Sequence, residues 1–148
     1  MDLRDINILL KNFIRKSGVR RKLTIVVSDR NHNVRELLKR EMIGEGHRVL
    51  IAKNAKELQN LVCQQNTVDI LILDPDLAYV NEVNLFEKII EWKPSILLII
   101  HSFQNDSNWQ GFPNNTLYVE KGENSIEQIR SEINKLIEGP FLASNGLH

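Results

Sequence analysis

Apolar positions along the chain fall into two kinds of run. Five are short and nearly unbroken: Leu23 to Val27, Val49 to Ala52, Ile70 to Leu73 within the stretch Asp69 to Asp74, Ile96 to Ile100, and Thr116 to Val119. Runs this short, rich in β-branched residues and closed by polar groups, predict strands, and the third and fourth are apolar enough to be buried on both faces. Between them the apolar residues recur at helical spacing. Val34, Leu37, Leu38 and Met42 share one face, as do Leu58, Leu61 and Val62, then Leu85, Phe86, Ile89 and Ile90, and last Ile126, Ile129, Ile133, Leu136 and Ile137. Asn33 with Glu36, Asn54 with Glu57, and Ser125 with Gln128 have capping-box spacing at three of the helix starts, and Gly139-Pro140 predicts the end of the last helix.

Strands alternating with helices require a parallel sheet covered on both faces. Right-handed crossovers leave few arrangements for five strands, and the order 2-1-3-4-5, flavodoxin-like, is the expected one. Ahead of this α/β domain, Leu3, Ile6, Leu9, Leu10, Phe13 and Ile14 predict an extra N-terminal helix over Asp2 to Ser17. The expected organisation is therefore residues 1–21 as that helix and a basic linker, 22–139 as the domain, and 140–148 as a flexible tail. The initial helix packs on its own subunit or serves as a homodimer contact.

With 148 residues the chain has room for one core. Its formal net charge is zero, which argues against a nucleic-acid binder acting through overall charge, so the basic run Arg15, Lys16, Arg20, Arg21 and Lys22 reads as a solvated linker. The single cysteine, Cys63, cannot close an internal disulfide and reads as a packing residue. With no leader and no membrane-length apolar run in the sequence, a cytoplasmic protein is expected.

In a parallel sheet the carboxyl ends of the strands form the rim where ligands bind. The predicted order brings the ends of the first, third, fourth and fifth strands together, and with them Asp29, Asp74, His101 or Ser102, and Lys121. No glycine-rich phosphate loop follows any strand, so nucleotide or flavin binding is not indicated.

With Ile25-Val26-Val27-Ser28-Asp29, Val34 to Glu41, Gly46-His47-Arg48-Val49, Val68 to Asp74 and Tyr118-Val119-Glu120-Lys121 in this order and spacing, the chain from Lys22 to Ile137 resembles the CheY-like receiver domain of response regulators. The resemblance implies a single-domain receiver in two-component phosphorelay signalling, not itself an enzyme. Asp74 would take a phosphoryl group from a histidine kinase or phosphotransfer protein. Mg2+, weakly bound, would be held by Asp29, Asp74 and the backbone carbonyl of Asp76. Lys121 would offset charge on the phosphoryl oxygens, and His101 or Ser102 would stand where a signalling hydroxyl is expected. The output would be a switched surface near the fourth strand, the last strand and the last helix that binds a downstream protein, with no membrane partner.

Several positions depart from the family pattern. Receivers carry two adjacent acids after the first strand; here the pair is Ser28 and Asp29, or Asp29 and Arg30 under a shift of one residue, and either way one carboxylate is missing. Loss of a charged oxygen ligand weakens Mg2+ binding. Gly122 follows Lys121 where proline is common, Tyr79 to Glu82 replaces a glycine-containing loop, and the polar segment Gln104 to Asn115, with Trp109 and Phe112, predicts little or no helix. These departures leave an alternative: a pseudo-receiver, the same fold used as a protein-interaction or dimerisation scaffold without phosphorylation. Asp74-Pro75-Asp76 is also similar to the aspartate pair of haloacid-dehalogenase-type phosphatases, but Ala78 stands where that family has a hydroxyl, and no late acidic pair follows.

Overall fold

The computed structural model describes residues 6, 21–65, 67–78, 85–103 and 116–146. Its elements in chain order are β1 (Thr24–Ser28), α1 (His32–Gly44), β2 (Arg48–Ala52), α2 (Ala55–Gln64), β3 (Ile70–Leu73), α3 (Pro75–Ala78), α4 (Leu85–Trp92), β4 (Leu97–Ser102), β5 (Leu117–Glu120) and α5 (Ser125–Gly146). All five strands join one parallel sheet in the order β2-β1-β3-β4-β5, as the alternation predicts. Of the initial helix only Ile6 is described, in helical conformation and exposed. The segments Tyr79 to Glu82 and Gln104 to Asn115 lie outside the described residues.

Alternation along the strands builds two cores, one on each face. Val26, Leu71, Leu73, Leu98 and Ile100 pack with Leu58 and Val62 of α2 and with Leu85 and Ile89 of α4. The neighbouring positions Ile25, Val27, Ile70, Ile72, Ile99 and Val119 pack with Leu38 and Met42 of α1 and with Ile129 and Ile133 of α5. The central strands β1, β3 and β4 thus bury both faces, which is why their sequences are runs rather than alternations.

Asn54 caps α2 as predicted: its side chain accepts from the Glu57 N–H at 2.9 Å, and Glu57 reaches back to accept from the Lys53 N–H at 2.7 Å. The other two capping expectations are corrected. Asn31, not Asn33, caps α1, its Oδ1 accepting from the N–H groups of Asn33 and Val34, because the helix starts two residues earlier than the apolar stripe. Ser125 already sits inside the first turn of α5, its hydroxyl donating to the Gly122 carbonyl, while the carbonyl of Asn124 takes the first helical bond from Gln128. α5 also passes through Gly139-Pro140 and continues to Gly146 instead of stopping there. A proline deletes one backbone donor, but helical bonds can still close on either side of it. Asp74 is followed by one helical turn, α3, because Pro75 suits the first helical position and Leu77 is fully buried.

Candidate functional site

The site follows from strand register. Ser28 pairs with Leu73, Leu73 with Ile100, and Ile100 with Tyr118, so these four residues form one row across the sheet. The next row contains Asp29, Asp74, His101 and Val119, and Lys121 stands two residues beyond Val119. Strand alternation puts Asp29, Asp74, His101 and Lys121 on the face that carries α1 and α5. Ser28 falls on the other face, fully buried, with its hydroxyl donating to the Ile72 carbonyl at 3.1 Å. Ser28 is therefore a packing residue, and the residues after β1 whose side chains reach the rim are Asp29 and Arg30.

The carboxylates are held closely. Lys121 Nζ lies 2.8 Å from Asp29 Oδ2 and 3.9 Å from Asp74 Oδ2, with all three side chains almost buried. Asp29 Oδ1 accepts from the Asn31 N–H at 2.8 Å, and Asp74 Oδ1 from the Asp76 N–H at 3.1 Å. The guanidinium of Arg30 spans two turns: its Nε is 3.3 Å from Asp74 Oδ2 and its Nη2 is 2.9 Å from Asp76 Oδ2. Beneath it, the buried Arg35 donates from Nη1 to the carbonyls of Asp29 at 2.8 Å and Arg30 at 3.0 Å, fixing the turn after β1. Lys121 Nζ also sits 5.2 Å from the ring centre of Phe103, within cation–π range.

His101 is 1% exposed, and neither ring nitrogen has a hydrogen-bond partner among the described residues. Burial lowers its pKa from the usual histidine value to about 4; Lys121 pushes it the same way, while Asp74 opposes. The imidazole is therefore neutral at pH 7. Ser102, one step along the pleat, faces the opposite side, and its carbonyl accepts from the Lys121 N–H at 2.7 Å.

Neither a family model nor a curated protein sequence matches the chain. Solved structures do match its fold. A CheY-like response regulator receiver domain protein from Methanospirillum hungatei superposes with a TM-score of 0.69 at 18% identity, over 80% of this chain and 96% of that one. The response regulator TrrA from Thermotoga maritima, solved in complex with Mg2+–BeF, gives 0.65 at 25% identity, over 77% and 98%. A structure described as a novel family of redox sensors in the streptococci evolved from two-component response regulators gives 0.68 at 18% identity, over 84% and 55%. The chain carries a receiver-domain fold.

A receiver fold implies a divalent cation at this rim, and the residues here do not fit one. Mg2+ keeps several waters and is held by one or two carboxylates, which it must win from any cation already neutralising them. Here both oxygens of Asp29 and both of Asp74 already accept from Lys121, Asn31, Arg30 or Asp76, and Asp76 is paired outward with Arg30. Among the described residues no group of three or more histidines, cysteines or acids is arranged to hold a metal ion. The positions expected from the sequence, Asp29, Asp74, His101 and Lys121, do meet at the rim. The Asp76 side chain joins them through Arg30, and Ser102 turns to the other face. Arg30, beside Asp29 in the sequence, was a candidate to fill the pocket between the carboxylates, and it does so as an ion-pair bridge; Arg35, the prop below it, went unseen.

Proposed function

We propose that the protein is a pseudo-receiver: a signalling module of receiver fold that works by binding a protein partner, without phosphoryl transfer to Asp74. The observation that carries this is the Arg30 guanidinium, which rests on Asp74 and Asp76 and engages the oxygen a phosphoryl donor would have to meet. Asp74, 3% exposed, is ion-paired rather than open. The partner surface is the one expected from the receiver likeness. Large apolar side chains are exposed at the end of β4 (Phe103), on edge strand β5 (Tyr118) and on α5 (Leu136), and exposed aromatics are the groups that anchor interfaces. Enzymatic turnover of phosphate esters is not expected, because the second acid of Asp74-Pro75-Asp76 is held by Arg30.

The test is intact-protein mass after incubation with acetyl phosphate and Mg2+, together with partner capture by wild type and Asp74→Asn. The expected result is no Asp74-dependent mass gain and a complex indifferent to the substitution. An Asp74-dependent phosphoryl adduct overturns the proposal. It would restore the phosphoacceptor reading, which is favoured by the placement of Lys121 within 3.9 Å of Asp74 and would require Arg30 to leave.

A further inference from the structure

The rim gathers three carboxylates, Asp29, Asp74 and Asp76, two of them almost buried, and something positive must stand among them. Two cations do so. Lys121 lies inside, on Asp29 and Asp74; Arg30 lies outside, on Asp74 and Asp76. A guanidinium is planar, permanently charged and weakly hydrated, so it can bridge two carboxylates that a lysine would contact as a point charge. Arg30 is anchored through its own backbone as well, since its N–H points at Asp74 Oδ2 at 3.5 Å and its carbonyl is gripped by Arg35.

We propose that Arg30 is a built-in counter-cation that does the work of a divalent metal, tying the turn after β1 to the turn after β3 and making this rim indifferent to Mg2+. This extends the pseudo-receiver reading to the regulation of the same site and rests on the same Arg30 contacts. A site that draws its positive charge from the chain has no off state set by metal supply. Its two turns stay joined whether or not Mg2+ is present.

The inference predicts a gain of function from one substitution. Arg30→Asp removes the internal cation and adds a fourth oxygen donor group, leaving Lys121 alone against the carboxylates. Arg30 has more than half its side chain in solvent, so the change leaves the core untouched. Thermal unfolding and titration calorimetry with MgCl2 and MnCl2 provide the test. Wild type should unfold at the same temperature with and without metal. Arg30→Asp should unfold at a lower temperature in EDTA, recover on addition of Mg2+, and bind the ion roughly tenfold tighter than wild type or better, since the charge of one side chain within a few ångströms of the ion changes by two units. A merely structural arginine would give the loss without the recovery. Arg30→Gln, neutral, polar and shorter, serves if Arg30→Asp does not fold, and it too should bind Mg2+ more tightly than wild type. The proposal is overturned if wild type is stabilised by Mg2+ as much as the variants are, or if a folded variant ignores the metal. These outcomes are separate from those of the phosphorylation test. An Asp74 adduct that forms equally with acetyl phosphate in EDTA would sink the pseudo-receiver and leave the metal-indifferent rim of the unphosphorylated protein standing, whereas Mg2+ binding by unphosphorylated wild type with no adduct formed would do the reverse.

Discussion

His101 shows how a single residue can make the fold sensitive to acid. Its folded pKa of about 4 lies below the ordinary value of 6.5, so the unfolded chain binds a proton that the folded chain refuses between those limits. The stability contributed by the neutral ring is complete above pH 6.5 and is lost as pH falls towards 4, a total of about 3 kcal/mol. Urea unfolding of wild type should therefore weaken steeply from pH 7 to pH 4.5, and His101→Thr should flatten that part of the profile. An equal slope in both proteins would show that other groups carry the acid response. Nothing in the sequence disclosed this: a histidine closing an apolar strand looks the same whether its ring meets water or not, and burial here comes from the register that seats it between Asp74 and Val119.

The helix starts show what could be read at the scale of elements. Asn54 was legible because the first residue of the apolar stripe and the cap are separated by the usual distance, so side chain and backbone agree. Asn31 was not, because two asparagines compete within three residues and only the backbone decides; Asn31 is extended and takes both amide donors, while Asn33 is already in the helix. Asn31→Ala should cost about 1 kcal/mol and Asn33→Ala close to nothing, which chemical denaturation of the two variants checks. A reversed ranking would restore the original cap. Gly139-Pro140 misled for a related reason. It is a strong local stop signal, yet α5 is already anchored by Ile129 and Ile133 and runs past it. After α1 the chain turns at Gly46, with φ of 93°, where only glycine turns without strain.

For the molecule as a whole, most of the architecture could be read from the chain because buried parallel strands are written as unbroken apolar runs, and five such runs separated by amphipathic stretches admit few arrangements. The gathering of Asp29, Asp74 and Lys121 followed from that topology. What the guanidinium beside them does could not follow, since it depends on side-chain reach across two turns rather than on order. Both cores rest on the same strands, so a cavity under either helical layer should weaken everything. Ile99→Ala, at a fully buried site facing α1 and α5, should cost roughly 2–5 kcal/mol in a single cooperative transition. Separate melting of the two layers would contradict a shared core. The row of paired residues from Ser28 to Tyr118 has one more implication. Neighbouring strands deliver their ends to one edge, and the two turns that follow β1 and β3 are each clamped by a carboxylate that binds a backbone amide two residues on. A protein landing on those two turns finds them preset, with little freedom left to lose there, so the lifetime of the complex, more than the rate of encounter, would govern how tightly it holds.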